Sequence, residues 1–199
     1  MLTSNDVALK EWAVICHMLA SGRQIVLVRK GGIREPARGF DVEHREFVLV
    51  PTYFHERAED LAEPARTALP EVARAAPPAG ELHLTLYATV AHLTEVHELE
   101  SLRALHGQHA LSWPAVESRF QYRRPGLHLI ALRVHRLARP VIVPNLARYD
   151  GCRSWVSLDR AVPVAGGEPV LDDDAFSHRL AALRRALPED PQAARSGRR

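Results

Sequence analysis

The chain has 199 residues, 26 of them basic and 24 acidic, a length that suits one domain or one with an appended half. Its 46% hydrophobic content is enough for a core and excludes a wholly disordered chain, and no apolar run nears the roughly 20 residues that span a bilayer. Only Lys10 and Lys30 are lysines, which leaves 24 arginines; with so many alanines, this reads first as codon bias.

In chain order, Asn5-Asp6 followed by Leu9, Trp12, Ala13, Cys16 and Leu19 has helical spacing. It predicts a first helix stopped at Gly22, with Lys10 on an exposed face. Ile25 to Val28, within Gln24 to Arg29, predicts a short buried strand, broken by Lys30-Gly31-Gly32. A polar loop then leads to a second strand over Glu46 to Pro51. Residues 56–79 carry Pro64, Pro70, Pro77 and Pro78 and predict an interrupted helical connector on the surface. Glu81 to Val90 alternates, with Leu82, Leu84, Leu86 and Ala88 inward and His83, Thr85, Tyr87 and Thr89 outward.

Thr94 is expected to cap a helix through Val96, Leu99 and Leu102 that ends at Gly107. Ser112-Trp113-Pro114 opens another helix, to Phe120. His128 to Leu137 is a second alternating strand, with Arg133 and His135 outward, and Arg153 to Leu158 a further one. Asp172 to Asp174 cap a last helix carrying Phe176, Leu180, Leu183 and Leu187. The order predicts an α+β fold, a mainly antiparallel sheet or partly closed barrel with flanking helices. It is read as one domain over 1–187, divisible into halves 1–55 and 81–187 joined by 56–80, with a disordered tail at 188–199. Cys16 and Cys152 make no disulfide framework, and Met1 to Asp6 has no basic leader, so a cytoplasmic protein is expected.

Two stretches carry a resemblance. Arg29-Lys30-Gly31-Gly32-Ile33 with Glu35, then Phe40, His44, Phe47 and Pro51-Thr52 through His55, form the first. Arg119-Phe120, Arg133 to Leu137 with Pro140, and Gly151 to Val156 form the second. Together they resemble the bacterial domain-of-unknown-function family 1802 over roughly residues 7–160. The resemblance implies bacterial origin and a shared fold but no reaction. One position departs: Gln is expected after His55, and Glu56 stands there. The second half also resembles PUA-like RNA-associated domains.

The neutral total hides an asymmetry. Residues 56–100 carry three Arg against nine acids, and residues 101–170 carry ten Arg against four. Either the basic segment faces a polyanion, or the two segments pack together and compensate each other.

The densest polar cluster is Arg29, Lys30, Glu35, His44, Arg45 and Glu46. An antiparallel hairpin of strands 24–30 and 46–51 would gather all six at one end. Arg29, Lys30, Arg45 and the Gly31 and Gly32 amides would then suit a phosphate, and His44 with Glu46 or Glu35 would suit acid–base work. The structural alternative is a cross-strand Lys30–Glu46 pair. A metal site joining His44 and His55 is not expected, because a six-residue strand holds them roughly 20 Å apart. No Nudix box, Walker A motif or GxSxG elbow is present, and neither lysine follows an acid at nuclease spacing. Arg133 and Arg153, interleaved with Tyr122 and Trp155, suit a nucleic-acid surface. The expected function is therefore recognition of a phosphate-bearing ligand, most simply nucleic acid. A phosphoester hydrolase using Lys30, Glu35, His44 and Glu46 is the alternative, and a protein-binding module the third. Cofactor, metal dependence and oligomeric state do not follow from the sequence.

Overall fold

The computed structural model describes residues 2–30, 44–151 and 153–187. The chain enters as a strand, β1 (Ser4–Trp12), where helical spacing predicted a helix. Long-range pairing overrides the local pattern. β1 lies parallel to β3 (Glu46–Thr52), with Ala8 opposite Val48, and antiparallel to β6 (Trp155–Pro163), with Ala8 opposite Val156. Two neighbours satisfy its backbone from both sides, which a helix of the same residues would do alone. Only Ala13–Ala20 remains helical, as α1, and Gly22 ends it with a φ of 68° that favours glycine. Lys10 therefore projects from a strand, not from an exposed helix face.

The sheet is open and mostly antiparallel. Its order is β2 (Val26–Arg29), β5 (Leu127–Pro144), β4 (Glu81–Val96), β3, β1, β6, with the short β7 (Glu168–Pro169) on β5. Since β5 and β4 lie between β2 and β3, the expected hairpin of strands 24–30 and 46–51 does not form.

Both sheet faces are buried, and β4 serves both. A register shift between Leu84 and Leu86 reverses its parity. Leu82, Leu84 and Tyr87 join Val48, Val156 and Leu158 in one core, whereas Leu86 and Ala88 join Leu9, Phe47, Leu49 and the helices in the other. Tyr87, expected outward, is fully buried. Full burial of side chains such as Phe47 and Leu49 contributes about 1.5–3 kcal/mol each. β4 also runs on to Val96, so Thr94 caps nothing; a 3-10 segment, Leu99–Leu105, follows, and Gly107 ends the turn at φ 78°. The remaining helices are α2 (Ala65–Arg74), α3 (Trp113–Gln121) and α4 (Asp173–Ala186). The last is capped as its sequence predicts, Asp172 accepting from the Ala175 N–H at 2.7 Å.

Candidate functional site: a cationic cleft at one end of the sheet

Because β1 and β3 run parallel, the segments that leave them emerge at the same end of the sheet. The starts of β4 and β6 meet them there, and together they line a cleft of about 1030 Å3. Its cationic side chains are Lys10, Arg29, Lys30, Arg119 and Arg153; its aromatic ones include Trp12, Tyr53 and Phe54.

One cation is cancelled. Arg29 reaches Glu11 across the curled sheet, its Nη1 donating to Oε2 at 2.6 Å. The pair is nearly dry, with side chains 13% and 9% exposed. Arg29 Nη2 donates to Ser154 Oγ at 2.8 Å, and the Thr52 hydroxyl donates to the Glu11 carbonyl at 3.1 Å. The ends of β1, β2, β3 and β6 are thereby tied together beneath the cleft.

Of the other cations, Lys10, Lys30 and Arg119 are hydrogen-bonded to carbonyls rather than to carboxylates. Lys10 Nζ donates to the carbonyls of Tyr149 and Gly151, both at 2.7 Å. Lys30 Nζ donates to those of Phe120 at 3.0 Å, Gly126 at 2.7 Å and Arg124. Convergent carbonyls suit the three donors of an ammonium; a planar guanidinium has no matching geometry. Both lysines of this arginine-rich chain thus sit where arginine would not substitute. Burial lowers the Lys30 pKa, the nearby Arg124 charge lowers it further, and Glu95 opposes both. Arg119 donates to the Val28 carbonyl at 3.2 Å and stacks 4.8 Å over the Trp12 ring. Burial lowers its pKa against the pull of Glu11. Arg153 is exposed.

Below the cleft, Glu56 accepts from the Val14 N–H at 2.9 Å, at the start of α1. Burial raises its pKa, the Val14 and Ala13 amides lower it, and Glu11 raises it. Cys16 is raised well above the ordinary thiol value by burial, then by Glu11 and Glu56, which leaves an inert thiol.

The expected cluster is divided. Arg29, Lys30 and Arg153 reach the cleft, while Glu46 starts β3 at its far end. There Glu46 accepts from the Tyr87 hydroxyl at 2.6 Å and the Leu2 N–H at 2.9 Å, and Asn5 Nδ2 donates to the Glu46 carbonyl at 2.9 Å. The Tyr87 bond is the main reason the Glu46 pKa is lowered. Lys30 and Glu46 do not pair across strands. His44 meets the Trp155 ring edge-on at 5.1 Å, and Phe47 meets it at 5.0 Å. Arg45 is exposed at the same end. Arg133 holds α4, donating to Asp173 Oδ1 at 2.6 Å and the Asp172 carbonyl at 3.1 Å while lying over Phe176. Arg133 and Arg148 thus reach Asp173 and Asp159, whereas Arg103 pairs with Glu100 of the 56–100 segment at 2.7 Å. Gly31, Gly32, Glu35, Cys152 and the 188–199 tail lie outside the described residues. His128, near the start of β5, is buried. Among the described residues no three His, Cys, Asp or Glu side chains gather as metal ligands. No described helix is long and apolar enough to cross a membrane.

Local reading missed Lys10, Glu11, Trp12, Thr52, Phe54 and Ser154. The available signal was a lysine-glutamate pair inside an apolar run; assigned to a helix face, it pointed to solvent.

A family model described as a domain of unknown function (DUF1802) matches residues 8–182. No curated protein matches the chain. Among solved structures it is similar to the ASCH protein of Zymomonas mobilis, with 13% identity over 89% of this chain and 94% of that one and a TM-score of 0.43. It is also similar to a mutant of that protein, with 12% identity over 92% and 99% and a TM-score of 0.44.

Proposed function

The chain belongs to the DUF1802 family, and on that premise we propose that it binds a phosphate-bearing ligand across the cleft, a nucleic acid rather than a small metabolite. One observation carries this reading: Lys10, Lys30 and Arg119 donate to neutral carbonyls rather than to carboxylates, so these bonds hold the side chains without neutralising them. Exposed Arg153 adds a fourth positive charge on the same cleft. Against these stand Glu81 and Asp150 on the lining, with Glu95 acting on Lys30 and Asp60 on Arg119, while Glu11 is paired with Arg29. Such a field attracts polyanions over a Debye length of about 8 Å. The volume, about 1030 Å3, is at the top of the small-molecule range of roughly 300–1,000 Å3, and the cleft is open.

Binding of labelled single-stranded RNA and DNA, followed by fluorescence anisotropy across a salt series, tests this. Neutralising four phosphates gives a slope of log K against log salt of about −3, at about −0.7 per phosphate. Arg153→Ala should reduce that slope by about 0.7 and leave stability within about 0.5 kcal/mol. Undetectable or salt-insensitive binding to both nucleic acids would remove the proposal.

A further inference from the structure

Two aromatic side chains are presented to solvent, one on the cleft and one on the loop that its Lys30 holds, and both sit on anchored backbone. Phe54, which lines the cleft, is 76% exposed, and Tyr122 is 57% exposed. Each is followed by a residue in the left-handed region that side chains rarely adopt, His55 at φ 64° and Arg123 at φ 61°. Neither loop is loosely attached. Thr52 is bonded to the end of β1 and Glu56 to the start of α1, so the Phe54 segment is fixed on both sides. Lys30 holds the Tyr122 segment through the carbonyls of Phe120, Arg124 and Gly126. The Arg123 guanidinium lies 5.1 Å from the Tyr122 ring centre.

We propose that Phe54 and Tyr122 are stacking platforms for unpaired bases, and that the cleft selects single-stranded nucleic acid over duplex. This rests on the nucleic-acid reading above. An aromatic ring stacks on any base whose face is free, and in a duplex those faces are covered by neighbouring pairs. The surroundings fit a polyanion. Lys30, Arg119 and Arg153 line the cleft with Phe54, and Arg123 and Arg124 follow Tyr122. Phe54 shares the cleft lining with Tyr53, Pro77 and Pro78, while the same cleft carries Lys10, Lys30, Arg119 and Arg153, a pairing of flat apolar surface with cations that suits a base and its phosphate. Anchored loops also leave little motion to be frozen when a base docks.

The test compares the full chain with Phe54→Ala, Tyr122→Ala, Phe54→Trp and Tyr122→Trp, using one single-stranded RNA and the duplex of the same sequence. Each alanine variant should weaken single-strand binding about five- to a hundredfold with the salt slope unchanged. The tryptophan variants should restore it, and duplex binding should be weaker than single-strand binding and insensitive to all four. Alanine variants that bind single strands as the parent does, or a parent that prefers duplex, overturn the single-strand proposal and leave the phosphate reading standing. A parent that binds neither form at any salt overturns both. The exposed positions make unfolding of the variants an unneeded explanation, and the tryptophan variants control for it.

Discussion

The two ends of β3 handle charge in opposite ways. At its start, Glu46 is closed into a ring of bonds from Tyr87 and Leu2, with Asn5 on its backbone, so an acid is held ionised by donors directed at it. At its end, lysines and an arginine donate to carbonyls, which hold the side chains without neutralising them. Satisfying a hydrogen bond and cancelling a charge are separate events. The first end is finished as a structural joint; the second keeps a field directed into a cleft.

The largest way to break this contrast is at Arg29. Arg29→Ala leaves Glu11 buried without its partner and should cost about 3–5 kcal/mol in urea unfolding. Replacing both partners, as Glu11→Gln with Arg29→Met, should cost far less, because no uncompensated charge is left. Next is Lys30→Arg. A guanidinium cannot reach three convergent carbonyls, so a loss of about 1–2 kcal/mol is expected, discounted for partial exposure, with faster amide exchange over residues 120–126. An unchanged exchange rate would mean that the ammonium does not fix that loop.

The smallest effect is a change in pH dependence, and it has opposite sign at the two ends. The Glu46 pKa lies below its ordinary 4.5, so its contribution is present above pH 4.5 and fades as pH falls through the lowered value. The Glu56 pKa lies above 4.5, so its contribution is present below pH 4.5 and fades as pH rises through the raised value. Tyr87→Phe should therefore flatten the acid loss of stability. Glu56→Gln should improve stability at neutral pH relative to the parent while keeping an oxygen for the Val14 amide. Urea midpoints across the pH range check both signs. Glu56→Gln also restores the residue that the family resemblance leads one to expect after His55.

What was legible in the sequence was local. α4 follows from its Asp172 cap and 4-3-4 apolar spacing, and α3 from Pro114 in its first turn, although the Ser112 hydroxyl donates to the Glu59 carbonyl instead of capping; such signals act within a few residues. β4 was legible as far as its bulge, where parity reverses and carries Tyr87 inward. β1 was not legible, since only distant β3 and β6 make a strand of residues with helical spacing. The neighbours of the candidate residues were hidden for the same reason. A hairpin would put Glu46 beside Arg29 and Lys30, whereas the sheet places Glu11, Ser154 and the carbonyls of the 120–126 loop beside them.

The scarcity of lysine has a practical side. With Lys10 on one wall and Lys30 on the other, every ε-amine of the chain lies on the cleft. Apart from a terminal amine, reagents that seek primary amines have nowhere else to react. For this protein, amine chemistry is a footprint of the cleft alone, and protection from it reports occupancy there.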